Sequence, residues 1–298
     1  MCVCMDLTIL RVASFVVIAF VYMLFDVLNK RNIPNIFAYG ALAYGLILTI
    51  LYFNVMTIVV SLAIAAVIGA LGYVVYKIGQ IGAGDIFEFA TLSLIFPFQT
   101  YTFFHTAFAV LNIPTIVAVL INTGIAAMIM VPLYYIPRAK LVLKKPIMDH
   151  LEEGTLVKSL AVGMTYIAFV CFLYYIGMNA IGLAVVALLG LGSFSTMLFQ
   201  KPMTESMIEN LTWKEMEPED MIAFNVMNKS EINRVKSHIK SFDRLVTRKM
   251  LDEMKARKFE DKLPVYRKAV PFALPIFVGT LATILVGNVI IFILPLHL

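Results

Sequence analysis

The chain has 298 residues, of which 61% are hydrophobic and only 14% are charged, with a formal net charge of +5. Ordinary soluble domains have roughly 45–50% apolar and ~25% charged residues. Together with a mean hydropathy of +0.88, this composition excludes a soluble enzyme and a disordered chain, and it predicts a polytopic membrane protein.

Eight apolar segments have the length of roughly 17–25 residues that a helix needs to cross about 30 Å of hydrocarbon. Pro97 interrupts the fourth segment, so a short span followed by a surface segment is an alternative there. Residues 178–180 alone separate the sixth from the seventh, which predicts a tight hairpin or one broken unit. The predicted fold is an all-α polytopic membrane protein with about eight transmembrane helices, six at the fewest. The segments are about 7–26, 36–53, 56–76, 86–111, 114–136, 159–178, 181–199 and 270–295.

The basic residues indicate how these segments are oriented. Lysine and arginine cluster after the first, third, fifth and seventh segments, and with eight spans all of these clusters lie on one side of the membrane. The loops around Asn54, Asn112 and Asn179, on the opposite side, carry no charge. By the positive-inside rule the basic side is cytoplasmic and both termini are outside, which predicts a multi-pass protein of the cell membrane.

Residues 200–268 are polar and predict a cytoplasmic, largely helical insert. The insert separates a membrane domain, residues 1–199, from a C-terminal transmembrane helix, residues 269–298. Its apolar residues recur at helical spacing, which predicts one long amphipathic helix with Ser230 as the N-cap. Such an insert either packs on the membrane domain as a solvated cap or binds membrane lipids or a substrate protein. The recurring residues are Ile232, Val235, Ile239, Phe242, Val246 and Met250.

Three acidic residues, Asp26, Asp85 and Glu88, touch the predicted membrane segments. An ionised carboxylate in the middle of a membrane costs at least ~2.5–3.5 kcal/mol, so such residues are rare and usually functional. Asp26 lies at the cytoplasmic end of the first segment, shortly before Ile33-Pro34-Asn35. Asp85 ends the sequence Gly82-Ala83-Gly84-Asp85 at the start of the fourth segment, which is also cytoplasmic in the predicted topology. Both aspartates are therefore expected at a similar depth.

Two adjacent carboxyl groups in a site of low dielectric constant cannot easily hold two negative charges, so they share one proton. The charged member takes a proton from a water molecule that attacks a peptide carbonyl. The protonated member polarises the carbonyl oxygen and later helps to release the amine. This is the chemistry of aspartic proteases, in which the pair titrates as a unit. It needs no metal, histidine or serine, so no metal site and no cofactor are expected.

The residues around both aspartates resemble a known family. Asp26 followed by Ile33-Pro34-Asn35, and then Gly82-Ala83-Gly84-Asp85, is similar to the pattern of archaeal type IV prepilin and preflagellin peptidases, which are GxGD intramembrane aspartyl proteases. The resemblance is clearest over residues 10–135, and residues 265–288 also look like the last span of archaeal members. It implies that Asp26 and Asp85 are catalytic, with Gly82 and Gly84 shaping the motif.

The resemblance also implies a reaction and a class of substrate. The expected activity is an aspartic endopeptidase that removes the short basic leader of archaellin-like and pilin-like precursors at the cytoplasmic face of the membrane. These precursor proteins and membrane lipids are the expected partners, and no nucleic-acid motif is present. The bacterial branch of the family has a four-cysteine zinc loop and an N-methyltransferase activity. This chain lacks that loop, so cleavage without methylation is expected.

Glu88 departs from the family pattern, in which a lysine often follows the GxGD aspartate. It lies one helical turn beyond Asp85 and is expected to share its face. There it either raises the proton affinity of the aspartates, attracts the basic leader of the substrate, or faces the lipid headgroups as an interfacial acid. Asn29 and Asn35 are candidates for orienting the loop after Asp26 or for contacting substrate.

Asn122 and Gln80 are candidates for interhelical hydrogen bonds. His105, which lies in or near an apolar run with no partner in sequence, is interpreted as a packed or interfacial residue.

An ion-coupled transporter, with Asp26 and Asp85 as proton carriers, is the main alternative. Transporters usually place such groups near the bilayer midplane, whereas both aspartates here are at segment ends. A membrane scaffold whose insert recruits a partner leaves the glycine–aspartate motif unexplained. Presenilin-like and signal-peptide-peptidase-like enzymes share GxGD, and Ala273-Leu274-Pro275 resembles their proline motif. Those enzymes, however, have their aspartates on adjacent late spans.

Overall fold

The structure is a computed structural model that describes residues 2–29, 33–52, 54–78, 81–98, 103, 114–142, 154–218, 220–266 and 272–289. Within these residues, five helices are long and apolar enough to cross a membrane, and two shorter apolar helices accompany them. The prediction of an all-α polytopic membrane protein is confirmed.

The membrane domain consists of apolar helices because hydrocarbon offers no partner to backbone N–H and C=O groups, which a helix satisfies internally. Many outer side chains, such as Ile47, Val59 and Ile167, are exposed on the chain, as expected for surfaces that contact lipid. The helices are α1 (Cys2–Leu28), α2 (Asn35–Tyr52), α3 (Val55–Ile78), α4 (Ala83–Ile95), α5 (Thr115–Val142), α6 (Thr155–Tyr175), α7 (Ala180–Leu198) and, after the insert, α11 (Ala273–Val286).

Helix α4 is shorter than predicted. It begins at Ala83 and ends at Ile95, so one continuous helix over residues 86–111 is wrong, whereas the alternative of a short helix before Pro97 agrees with the structure. Its 13 residues rise about 20 Å, which is less than the ~30 Å thickness of the hydrocarbon. The physical reason is Pro97, since a proline disfavours helical geometry at the preceding residue, and Phe96 has already left it. Residues 99–102 and 104–113 of the predicted span lie outside the described residues.

Helix α11 also ends earlier than the predicted span, at Val286. Gly287 follows with a positive φ of 82°, which only glycine adopts without strain. The side chain of Asn122 on α5 then donates to the Gly287 carbonyl at 2.8 Å and accepts from the Val289 N–H at 3.1 Å. These bonds replace those that a continuing helix would make. Residues 290–298 of the predicted span lie outside the described residues.

Helix α4 is the most enclosed element of the membrane domain. It packs against α1, α2, α3 and α5, while α11 packs against α1 and α5. The main membrane core lies between α1, α4, α5 and α11, where Phe15, Leu92, Val119 and Ile276 are fully buried. This packing places the first turn of α4 beside the C-terminal end of α1 and the N-terminal end of α11.

Helices α6 and α7 pack against each other and form the predicted tight hairpin. The turn contains Gly177 with a φ of 83°, and Asn179 caps α7 by accepting from the Gly182 N–H. Gly190 lies against the ring of Tyr166, which lets the two helices approach closely.

The insert contains two strands as well as helices. Strands β1 (Ile208–Leu211) and β2 (Leu263–Tyr266) pair antiparallel, with Ile208 opposite Tyr266 and Leu211 opposite Leu263. The helices are α8 (Gln200–Met207), α9 (Lys229–His238) and α10 (Arg248–Ala256). They enclose a hydrophobic core of their own, distinct from that of the membrane helices.

The long amphipathic helix predicted from Ile232 to Met250 is therefore wrong, although its apolar residues do form the core of the insert. The chain leaves the helix after His238 and starts a new one at Arg248. Thr247 caps α10 by accepting from the Met250 N–H.

The predicted cap at Ser230 is also wrong. Asn228 is the N-cap of α9, and its N–H donates to Glu231 in a capping box. Residues 239–247 thus continue the apolar spacing through a turn, which periodicity alone does not distinguish from a helix.

Candidate active site

Asp26 lies in the last turn of α1 with only 6% of its surface exposed. Its Oδ2 accepts a hydrogen bond of 2.9 Å from the backbone N–H of Ala273, the first residue of α11. Phe272, at the N-cap position of α11, provides no side-chain cap. Asp26 therefore caps α11 from another helix, where the partial positive charge of the helix N-terminus favours a carboxylate.

Asp85 is the third residue of α4 and has 7% of its surface exposed. Its Oδ2 accepts a hydrogen bond of 2.9 Å from the backbone N–H of Gly82, so the carboxyl group folds back over the start of its own helix. A Cβ atom on Gly82 would lie 3.3 Å from this oxygen. The absence of a side chain at residue 82 leaves room for this arrangement.

The two motif segments contact each other through Gly84. A Cβ atom on Gly84 would collide with the Cδ1 atom of Ile33, so glycine is required here for close approach and not for backbone conformation. Ile33 belongs to Ile33-Pro34-Asn35, which leads into α2. The structure thereby brings the segment after Asp26 onto the helix turn that carries Asp85.

The carboxyl groups of Asp26 and Asp85 lie close enough for their charges to interact, and the charge of each also reaches Glu88. All three side chains are nearly or fully buried. Like charges in a poorly solvated region repel strongly, so such a group stays together at low cost only if it binds protons. We call Asp26, Asp85 and Glu88 the carboxyl cluster.

Glu88 is fully buried, and neither of its carboxyl oxygens has a hydrogen-bond partner within the described residues. The interpretation of Glu88 as an interfacial acid facing the headgroups is therefore wrong. Because its side chain is enclosed, it also presents no exposed charge to a basic leader. The remaining interpretation, an influence on the protons of the aspartates, agrees with its position.

Sequence reasoning missed two hydroxyl groups beside Glu88. Tyr22 on α1 and Thr91 on α4 are both fully buried, lie next to each other, and have hydroxyl groups without a geometrically acceptable partner among the described residues. Helical spacing was the signal that could have found them. Tyr22 precedes Asp26 by one turn, and Thr91 follows Glu88 by one turn, so each shares a face with an acid.

The other predicted polar residues differ from the carboxyl cluster in their exposure or their contacts. Asn29, just after α1, and Asn35, the first residue of α2, both have exposed side chains. Asn122 makes the predicted interhelical hydrogen bond, donating to the Thr283 hydroxyl at 2.9 Å. Gln80 and His105 lie outside the described residues.

No group of three or more histidine, cysteine or acidic side chains within the described residues is arranged to hold a metal ion. Comparison of the chain with protein-family models, with curated proteins and with solved structures gives no match. The residues and geometry of the carboxyl cluster are therefore what indicate a function for this chain.

Proposed function

We propose that this protein is a membrane-embedded aspartic endopeptidase with Asp26 and Asp85 as its catalytic pair. The observation that carries the proposal is the convergence of two buried aspartates, 59 positions apart in the sequence, to within the range of charge interaction. Shared protons and proton transfer are the chemistry that such a pair supports.

The proposed reaction is hydrolysis of a peptide bond by one water molecule. One carboxylate of the pair removes a proton from the water as its oxygen bonds to the peptide carbonyl carbon. The protonated carboxyl group gives its proton to the carbonyl oxygen. When the C–N bond breaks, the pair gives a proton to the amine nitrogen and takes one from a hydroxyl group of the tetrahedral intermediate, so it returns to its starting state with one proton.

The hydrogen bonds from Ala273 and Gly82 position the pair in this mechanism. Each comes from a backbone N–H at a helix start, so each aspartate is held by main chain, which has little freedom to move. The glycine at residue 84 allows Ile33 to close over the same turn. Together these contacts support a preorganised site.

The proposed substrates are precursors of archaellin-like and pilin-like proteins, each with a short basic leader before a hydrophobic segment. The similarity of residues 26–35 and 82–85 to archaeal prepilin and preflagellin peptidases supports this class. The basic loops of the chain support a site at the cytoplasmic face of the cell membrane, because Asp26 and Asp85 lie at the same ends of their helices as those loops. Cleavage at that face would release the leader into the cytoplasm.

An ion-coupled transporter is the second candidate function. Glu88 favours it, because a third buried acid without a partner in the described residues is what a proton-carrying pathway uses. In that case Asp26, Asp85 and Glu88 would exchange protons without breaking a peptide bond. Proton-coupled uptake in the absence of any proteolysis would favour this alternative.

The test is cleavage of a candidate precursor by the protein reconstituted in lipid vesicles. Asp26→Asn and Asp85→Asn are each expected to abolish cleavage, since an amide does not accept a proton from water at neutral pH. Asparagine retains an oxygen that accepts the N–H of Ala273 or Gly82, so both variants are expected to insert and fold. Asp252→Asn, at an exposed position of α10, is the matched control and is expected to cleave normally. Full cleavage by either site variant would remove that aspartate from the mechanism.

A further inference from the structure

Glu88 takes no part in the two-aspartate mechanism, yet it is the most enclosed acid of the carboxyl cluster. Asp26 and Asp85 each accept a backbone N–H, whereas both oxygens of Glu88 lack a hydrogen-bond partner within the described residues. A buried carboxylate without donors is far more costly than a buried neutral carboxyl group. The geometry therefore gives the cluster a second site for a proton, on Glu88, beside the proton that the aspartate pair shares.

The groups around Glu88 agree with a neutral side chain. Asp85 on its own helix and Asp26 on α1 are the charges that reach it from the described residues, and both are negative. The hydroxyl group of Tyr22 on α1 also lies near, beside Thr91 on α4. A neutral Glu88 has an O–H that can act as a hydrogen-bond donor, which a carboxylate lacks.

Helices α2 and α3, which also pack on α4, contribute aromatic groups near this turn. Tyr39 of α2 packs edge-on against Phe87, and Tyr73 and Tyr76 of α3 line an apolar groove with Ile86. Lys77, in the last turn of α3, is exposed, and its ammonium group lies over the Tyr73 ring. The ammonium group is thus directed to an exposed ring and not into the carboxyl cluster.

We infer that Glu88 is a positioning residue that stores a proton beside Asp26 and Asp85 and extends the activity of the pair toward alkaline pH. This inference rests on the proposed function. Hydrolysis requires one proton on the aspartate pair. With Glu88 present, the cluster holds two protons in its active state, so loss of the first still leaves one proton to be shared among three carboxyl groups. Without Glu88, loss of the first proton leaves the pair empty and inactive.

The first test is the pH profile of kcat/KM for precursor cleavage by the full-length protein in vesicles. Glu88→Gln is expected to cleave near neutral pH, because the amide keeps the shape of a protonated carboxyl group. The alkaline limb of its profile, which is the fall of kcat/KM at high pH, is expected to move to lower pH by roughly one unit. The acid limb is expected to stay unchanged. Glu88→Asp, which restores a carboxyl group, is expected to move the alkaline limb back. A lower rate with an unchanged profile would reduce Glu88 to a packing residue and overturn the inference.

The matched control is Ser93→Ala. Ser93 is a buried polar residue on α4 whose hydroxyl donates to the Ala90 carbonyl of its own helix. Its loss perturbs the same helix without removing an acid, so the alkaline limb is expected to stay in place. A shift of similar size in Ser93→Ala would show that the limb reports helix stability, and it would overturn the inference.

The second test needs no substrate, and its first measurement needs no variant. Infrared spectroscopy of the wild-type protein in vesicles detects the C=O stretch of protonated carboxyl groups, and we expect this band at neutral pH with loss on alkaline titration. Glu88→Gln is expected to weaken the band. Absence of the band from the wild-type protein at neutral pH would overturn the inference even if cleavage is observed. A band that weakens in Glu88→Gln, in a protein that cleaves no precursor, would support the proton site while contradicting the proposed function.

Discussion

Two glutamates, Glu88 in the membrane domain and Glu253 in the insert, show how differently the two regions use the same side chain. Glu88 is fully buried, and neither oxygen has a hydrogen-bond partner in the described residues. Glu253, on α10, accepts from the Ser241 hydroxyl at 2.6 Å and from the backbone N–H groups of Ser241 and Lys240. Glu88 therefore lies beside other acids, whereas Glu253 lies beside hydrogen-bond donors.

The electrostatic consequence in the insert is clear. The hydrogen bond from the Ser241 side chain, followed by the backbone N–H groups of Lys240 and Ser241, lowers the pKa of Glu253 from its ordinary value of 4.5 to about 2. Glu253 is thus ionised at neutral pH, and its hydrogen bonds connect Lys240 and Ser241, at the start of the turn between α9 and α10, to helix α10. Its role is structural, and water remains accessible to it.

The comparison teaches that burial of an acid indicates function only when its hydrogen bonds are counted as well. Arg11 illustrates the same point for a base, because it is buried but its Nε donates to the Ile95 carbonyl and its guanidinium lies over the Phe96 ring. A cation is favourable at the C-terminus of a helix, so Arg11 stabilises the end of α4. Within the described residues, Glu88 has no such compensating partner.

The largest expected effect separates the aspartate pair, Asp26 and Asp85, from the other acids of the chain. Asp26→Asn and Asp85→Asn are each expected to lower precursor cleavage by at least about a hundredfold, the scale of lost general acid–base catalysis. Cleavage assays in vesicles measure this loss. Glu253→Gln serves as the contrasting variant and is expected to keep cleaving the precursor, because Glu253 lies in the insert and is not part of the carboxyl cluster. A comparable loss in Glu253→Gln would erase the distinction between the two regions.

A second change tests whether the two motif segments must contact each other. Gly84→Ala is expected to destabilise the membrane domain by about 1–3 kcal/mol, because the added Cβ collides with Ile33. Thermal unfolding in detergent measures this cost. The double variant Gly84→Ala/Ile33→Ala is expected to recover part of it.

The matched control for this change is Gly40→Ala on α2, where a Cβ atom meets nothing within 4 Å. It is expected to be neutral or to stabilise the helix by roughly 0.5–1 kcal/mol. If Gly84→Ala unfolds at the same temperature as Gly40→Ala, the contact between Ile33 and the GxGD turn is not important for stability.

A third change concerns a buried polar group of the membrane domain that is satisfied. Asn122 bonds Thr283, Gly287 and Val289 and holds the end of α11. Asn122→Ala is expected to cost about 1–3 kcal/mol by leaving buried polar groups unpaired. The alkaline limb of the cleavage profile is expected to stay unchanged, because the variant removes no acid. Unchanged thermal stability would contradict this account of how α11 ends.

The smallest expected effect is the pH dependence of the insert. Because folding lowers the pKa of Glu253, its stabilising contribution is complete above 4.5 and is lost as pH falls toward about 2. Glu253→Gln is therefore expected to unfold more easily than the wild-type protein near neutral pH, with the difference vanishing at the acid end of this range.

The chain contains one tryptophan, Trp213, which packs against the core of the insert. Its fluorescence reports unfolding of the insert in the full-length protein and measures the effect of Glu253→Gln. Asp252→Asn, at the neighbouring exposed residue, is the control. A difference between wild-type and Glu253→Gln that persists unchanged at pH 2 would contradict the structural role of Glu253.

Much of the membrane domain was predictable because apolar composition and segment length are strong physical signals. The starts of α2, α3, α5 and α7 lie within a few residues of the predicted segments. The prediction failed for α4 and for the end of α11, where Pro97 and Gly287 change the backbone. It also failed for the α9–α10 turn, where local caps at Asn228 and Thr247 outweigh a periodic apolar pattern.

The sequence predicted the acids of the carboxyl cluster but not the groups that surround them. Asp26 and Asp85 were candidates because acids in apolar segments are costly, and Glu88 followed from its spacing to Asp85. The roles of Ala273 and Ile33 were not accessible, because a backbone N–H and a close apolar contact leave no distinctive pattern along a chain. Tyr22 and Thr91 were visible only as neighbours of acids on a helix face.

The amino-acid sequence by itself determined that this chain is a membrane protein and which acids are exceptional, because the cost of placing polar groups in hydrocarbon acts on each segment separately. Tertiary structure alone decided that the start of α11 holds Asp26, that Ile33 packs on Gly84, and that Glu88 is enclosed without a donor in the described residues. These facts depend on which helices pack together. Such packing joins residues that are distant in the chain, and no local pattern encodes it.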